Sequence, residues 1–400
     1  MPDTTVKFFN ENLPGAPVLN GLAGSLVALL DACLVTGFGL RQATSLVVLN
    51  GVATLTLSND AKNVNLLDSV IQVDGSSIAA LNGEQRVTGA TATTLTFATA
   101  AAAGAATGTI TVKTAPAGWV KLFTGTNKAA YKSTMPESFG TVLRVDDTGT
   151  LDARVRGYES MSDVDTGTGL FPTVAQAAGS GGYWAKSSAA NATGNRWDLF
   201  ADGHGFYYAP SSYSGANAAY YGQAVYWFGD AVPHKSTDVF AACLLSSSVT
   251  TAGANISNYG SIGTGNVSAA SYWTRGIVGI GSAVTAFSLP ETGGNNTNSG
   301  ADTLLGAFPP PDGKMRLSRY LAQEGAASGS SCILRGIFPG FNHVPQSGLY
   351  AAFQRGDKIT PTGALAGRKL YAVQVGVYFS DSQAAANAGR AFVDITGPWR

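Results

Sequence analysis

Four hundred residues carry 25 basic and 25 acidic side chains, a formal net charge of zero, and only 12% charged positions. That balance excludes a nucleic-acid binder, which needs clustered Lys and Arg to displace counterions from phosphates. The 45% hydrophobic content excludes a disordered chain despite 50 glycines, and the length is enough to bury and divide a large core.

The opening segment, MPDTTVKFFNENLPGAP, lacks the basic start and apolar run of an export signal. Extended and broken by proline, it suits either an arm lying on another subunit or a strand packed within its own chain. Asn20 to Thr36 place Leu22, Leu26, Leu29, Leu30 and Cys33 at helical spacing, with Gly37 and Gly39 ready to end the segment. Its apolar run, SLVALLDACLV, is too short to cross a bilayer and holds Asp31, so no membrane insertion is expected.

Strand patterns follow: SLVVLNGVATLTLS, SVIQVDGSS, EQRVTGATATTLTFAT and GTITVKT, alternating with period two and broken by Asn-Gly and Asp-Gly. They predict a small antiparallel barrel or sandwich over residues 43–114, inserted between an arm and helix (1–42) and a larger body (115–400). The Ala-rich ATAAAAGAATG within it reads as a loop because Gly104 and Gly108 interrupt it and no apolar face forms. In the body, Trp197, Phe200, Phe206 and Tyr208 flank an Asp-Gly-His-Gly turn, which is a hairpin signal. AVYWFGD, DVFAACLLSS, RGIVGIGSAVTAFSLP, SSCILRGIFPG, KLYAVQVGVYF and AFVDITGPWR supply further strands, with polar loops such as ETGGNNTNSGAD between them. GKMRLSR, at Gly313 to Arg319, reads as an ordinary surface stretch. The expected fold class is therefore mainly β: a large β-rich body, one N-terminal helix and the small inserted domain.

DTGT occurs twice, at Asp147 to Thr150 and Asp165 to Thr168. Asp-Thr-Gly also carries the carboxylate of aspartic proteases, but that chemistry needs two carboxyls sharing a proton, one from each half of a pseudosymmetric dimer. Loops 18 residues apart cannot belong to separate lobes. A turn is the simpler reading, with Asp accepting backbone N–H groups and Gly supplying positive φ. Asp146, Asp147, Asp152, Asp163 and Asp165 offer oxygen ligands for Ca²⁺, yet Gly167 and Thr168 break the EF-hand spacing, and solvated turn carboxylates are expected. His204, His234 and His343 stand apart, in turn or surface contexts, without zinc-ligand spacing. Cys33, Cys243 and Cys332 are odd in number and read as reduced, buried thiols of a protein made in a cytoplasm. No nucleophile elbow, phosphate loop or dinucleotide motif occurs. No catalytic residue, cofactor or metal ligand is assigned, and no enzyme is expected.

Phe206 to Phe228 hold nine aromatic residues. Two readings stand: alternate rings fill the core between β layers, or Tyr207, Tyr208, Tyr213, Tyr220 and Tyr221 form a surface-binding platform for sugars or a protein.

NLPGAPVLNGLAGSLVALLDACLVTGFG, ALNGEQRV, TGTITVKTAPAGW, RVDDTGTLDARVRGYESMSDVDTGTGLFP, FNHVPQSGLYAAF, TGALAGRKLYAV and AFVDITGPWR are spread along nearly the whole chain, from Asn12 to Arg400. They resemble uncharacterised virion structural proteins of tailed bacteriophages that infect Gram-negative bacteria. The resemblance implies a virion location in the tail, baseplate or neck, with copies of itself and other virion proteins as partners, and it transfers no catalytic residue. A homo-oligomeric, non-enzymatic structural protein is the leading expectation. A tail-fibre or spike component binding host-surface glycan and a capsid decoration protein are the alternatives, and a depolymerase using the Asp146 to Asp165 carboxylates is the enzymatic rival.

Overall fold

The structure, a computed structural model, describes residues 2–177, 181–215, 222–247, 262, 271–291, 313–325, 332–344, 352–375 and 390–400. Tyr220, Tyr221 and the polar stretch 292–302 lie outside the described residues. Every strand ladder among the described residues is antiparallel. Among the described residues the chain is mainly β with one short α-helix, and no barrel closes.

The largest sheet runs from Lys7–Asn10 through Asn195–Ala201, Gly205–Ser214, Tyr226–Asp230 and Ala242–Leu245 to Tyr272–Trp273. It continues through Val284–Pro290, Ser318–Glu324, Ile333–His343, Ala391–Asp394, Leu370–Val373 and Lys358–Ile359. The second half folds back over the first: Tyr207 meets Phe341 at 5.1 Å between ring centroids, Trp227 meets Phe338 at 6.0 Å, and Phe200 meets Tyr371 at 5.2 Å. The other face of the first half is covered as well. A five-stranded sheet (Val120–Gly125, Lys128–Lys132, Val142–Asp146, Asp152–Tyr158, Gly182–Ala185) and the helix pack there.

This double cover explains why whole strands are buried. In Tyr226–Asp230, Tyr226 and Phe228 join one core while Trp227 joins the other. In Gly205–Ser214, Phe206 and Tyr208 face one way, Tyr207 and Ala209 the opposite way. Period-two alternation persists, but both of its faces are apolar.

Residues Phe38–Gln42 to Thr111–Thr114 make an eight-stranded sheet. Its inward side chains, among them Leu46, Leu55, Ile71, Val87, Leu95 and Phe97, are continuous with the core beneath the helix. Asn50 and Gly51 both take positive φ, 50° and 76°, the two-residue hairpin that Asn-Gly favours. Within the Ala-rich stretch, expected to be loop, Gly104–Ala105 pairs with Val47 and Val48. The helical segment is shorter than expected as α-helix: Ser25–Leu30 is α, and Asp31–Thr36 widens into a π-helix. The amino-terminal segment Lys7–Asn10 is a strand in its own chain, hydrogen-bonded beside Asn195–Ala201.

Arg86 ties these parts together. Its guanidinium donates to the carbonyls of Asp3, Asp68, Ile395, Val6 and Thr396 at 2.7–3.2 Å, clasping both chain-terminal segments to the small sheet.

Candidate functional site

The two DTGT stretches play different parts. Asp147 follows Val142–Asp146 and is fully buried. Its Oδ2 accepts from the backbone N–H of Leu26 at 2.7 Å and of Val27 at 3.2 Å, in the first turn of the helix. Its Oδ1 is bonded by the Nζ of Lys186, itself fully buried, which also donates to the Leu22 carbonyl at 2.7 Å. Burial pushes the Asp147 carboxyl up, and Lys186 and the two N–H groups only partly oppose it.

Asp165 stands half-exposed and accepts from Lys128 Nζ at 3.0 Å and from Arg144. Arg144, then Lys128, hold its carboxyl below the usual range. Asp147 and Asp165 therefore rest on different cations, and no shared-proton pair joins them. Among the described residues no group of three His, Cys, Asp or Glu side chains is disposed to hold a metal ion.

The expected turn chemistry falls on neighbouring residues. Asp146 Oδ1 accepts from Thr148 Oγ1 at 2.8 Å, and Asp163 Oδ1 from the Asp165 N–H at 2.7 Å. Neither Gly149 nor Gly167 takes positive φ. Each is needed for close approach instead: a Cβ would lie 2.3 Å from the Asp152 carbonyl oxygen at Gly149, and 2.5 Å from that of Ser160 at Gly167. Gly167–Thr168 is a strand paired with Ser160–Met161.

Of the five tyrosines expected to form an aromatic platform, Tyr207, Tyr208 and Tyr213 are described. Tyr207 and Tyr208 are fully buried; their hydroxyls donate at 2.7 Å to the carbonyls of Pro339 and Ala185 respectively. With both faces of their strand covered, neither can meet a surface ligand, so those two assignments are corrected. Tyr213 is half-buried. His343 is likewise buried rather than in a turn or on the surface, with its ring against Tyr320. Cys33 and Cys243 are buried and Cys332 half-buried.

The groups that do converge were not singled out in the sequence. Arg355 forms a two-armed bond to Glu11, 2.7 Å on each side, and bonds both oxygens of Asp198 at 2.6 and 2.9 Å. Asp198 also accepts from Tyr371 and Gln223, each at 2.8 Å. Burial pushes Asp198 up. Burial acts the same way on Glu11, but Arg355 and the backbone N–H groups of Glu11 and Trp197 together outweigh it and the carboxyl is lowered.

A cleft of about 490 Å³ opens beside this cluster, lined by Glu11, Asn12, Val18, Asn195, Arg196 and Arg355. A second cleft, about 580 Å³, is floored by Phe353 and Ile359 and bordered by Met315 and Leu317, so part of GKMRLSR lines a groove. Elsewhere Arg335 grips Asp238 with two bonds of 2.7 and 2.9 Å and lies 4.5 Å from the Trp273 ring centre. These ion pairs join elements far apart in sequence and pin the layers in one register.

Sequence does hold one trace of them. With so few charges in the chain, Asp198 inside RWDLFAD and Arg335 inside CILRGIF interrupt otherwise apolar strands, and a charge there needs a buried partner.

Glu11 supplies a pH-dependent term. Its folded pKa lies below the ordinary 4.5, so its stabilising contribution is present above that value and is lost as pH falls through the folded one. Glu11→Gln is expected to melt lower than the parent at pH 7, with the gap narrowing below about pH 4. Thermal melts of both proteins across this range check it; a gap independent of pH would contradict it.

Compared with protein-family models and with curated proteins, the chain matches none.

Proposed function

We propose that this chain is a non-enzymatic, homo-oligomeric structural protein of a tailed-bacteriophage particle, placed in its tail, baseplate or neck. The observation that carries the assembly part of this reading is an apolar outer face on the eight-stranded sheet. In Ser45–Leu49 the odd positions point outward, leaving Val47 exposed and Leu49 64% exposed. Leu49 stands directly opposite exposed Val52 on the next strand, and Val47 opposite Ala105 on the other side. Three adjoining strands thus present aliphatic side chains to solvent on a framework held rigid from behind by Leu46, Val48, Ala53 and Leu55. Such a face is stabilised when another subunit covers it.

A second apolar point adds support. Val278 and Ile280, 75% and 78% exposed, cap a loop beside Val239, whose neighbour Phe240 packs on Gly279. The resemblance described above supports the phage particle as the setting.

A threefold change, Val47→Thr, Leu49→Thr and Val52→Thr, is expected to leave the melting temperature within a few degrees while shifting the protein to smaller oligomers, since surface changes away from special features cost little. Light scattering on both proteins, together with the copy number in purified particles, tests this. A parent protein that stays monomeric at high micromolar concentration and is absent from particles would overturn the reading.

The glycan-binding alternative has one feature in its favour, the cleft lined by Glu11, Asn12, Asn195, Arg196 and Arg355 with Val18 at its wall. Planar polar groups beside an aliphatic patch suit a sugar ring. Arg196→Ala, altering an exposed lining residue, should weaken cell or glycan-array binding in that case.

A further inference from the structure

Lys186 and Asp147 are arranged as reactants as well as an ion pair. Both are fully buried, and Nζ of Lys186 rests against Oδ1 of Asp147, one bond from the carboxyl carbon. The strand Gly182–Ala185 ends beside Lys186, whose N–H bonds the Leu151 carbonyl at 3.0 Å. The backbone of Asp147 is held too, its N–H on the Asn127 carbonyl at 2.8 Å and its carbonyl accepting from Gly24 at 2.9 Å. Neither group can drift out of reach of the other, which is the entropic condition for an intramolecular reaction.

The remaining parts of an acyl-transfer site surround them. Oδ2 already accepts from the N–H groups of Leu26 and Val27, so two fixed donors await negative charge on that oxygen. Trp184, Tyr208 and Tyr226 pack together beside the pair, with Tyr208 bonded to the Ala185 carbonyl.

We propose that Lys186 and Asp147 become joined by a side-chain amide, formed by the folded chain itself with loss of one water. The balance closes without any co-reactant. The ammonium gives one proton to the carboxylate at Oδ1. Nζ then attacks Cγ, and the charge developing on Oδ2 is taken up by the Leu26 and Val27 N–H groups. A second proton passes from nitrogen to Oδ1, which departs as water while the Cγ–Oδ1 bond breaks. One hydrogen stays on the amide nitrogen, and Oδ2 keeps its two backbone donors as the amide oxygen.

The bond would bridge Val142–Asp146 and Gly182–Ala185 across the strand between them, Asp152–Tyr158, and anchor the start of the helix to both. It spans 39 positions of the sequence. It would hold the five-stranded sheet closed under heat or load.

The test is the mass of the purified full-length chain after denaturation. The expected value is lower than that of the sequence by one water, about 18 Da, and digestion should release a branched peptide in which Lys186 is attached to Asp147. Lys186→Arg should restore the full mass. A full-mass parent whose digest contains unmodified Lys186 would overturn the proposal without any variant needing to fold. So would a water loss confined to a linear peptide, since an aspartyl succinimide has the same mass.

Discussion

Arg355→Leu is expected to lower stability by about 3–5 kcal/mol, the cost of removing one partner from a buried ionic cluster. The guanidinium sits between Glu11 and Asp198 and bonds both oxygens of each. Without it Asp198, fully buried, keeps Tyr371 and Gln223 as its donors among the described residues. The deficit should depend on pH. Burial already raises Asp198, and losing Arg355 raises it further, so the folded variant holds a proton there that the unfolded chain releases above about pH 4. Stability of the variant relative to the parent is therefore greatest in acid and falls as pH rises through the folded pKa. Urea titrations at pH 5 and pH 7.5 check this, with Arg355→Leu combined with Asp198→Asn expected to regain part of the loss at pH 7.5. A single variant within about 1 kcal/mol of the parent would show that the cluster is not a structural clamp.

Trp227→Ala carries a comparable expected loss, about 3–5 kcal/mol, from the transfer term and the cavity left behind. Trp227 is fully buried where the two halves of the large sheet face each other. Its ring lies 4.4 Å from that of Tyr207 and 6.0 Å from that of Phe338, and its Nε1 donates to the Gly229 carbonyl at 3.2 Å. Trp227→Phe, which retains most of the volume, should recover more than half of the deficit. Chemical unfolding monitored by circular dichroism distinguishes the two. Equal losses would mean that the indole N–H, rather than packing, sets the contribution.

How much of this was readable in the sequence differs from element to element. Asn50-Gly51 and the Asp202 to Gly205 turn were legible because their chemistry is local: positive φ in the first, and in the second the Asp202 carboxylate accepting from the N–H groups of His204 and Gly205 at 2.8 Å. The hairpin it closes pairs Ala201 with Phe206. The β class and the order of strands followed from such turns and from alternation. The burial of Tyr207 and Tyr208 did not, since alternation tells which residues share a face but not whether something covers it. The ionic clusters were hidden for a different reason. Glu11 and Arg355 stand 344 positions apart, and Asp147 reaches the helix 121 positions upstream. No local pattern encodes such partners. DTGT illustrates both limits: a short motif invited a local explanation, while the Asp147 carboxylate serves a long-range one.

The doubly covered strands also fix a dimension. Face-to-face sheets settle at about 10 Å, so the folded-back half and the five-stranded layer, on opposite sides of the strands between them, are held about 20 Å apart. Neither spacing can shrink without expelling large rings from a filled interior, Trp227 on one side or Phe206 and Trp184 on the other. Whatever touches the two outermost layers is thereby kept at a set separation.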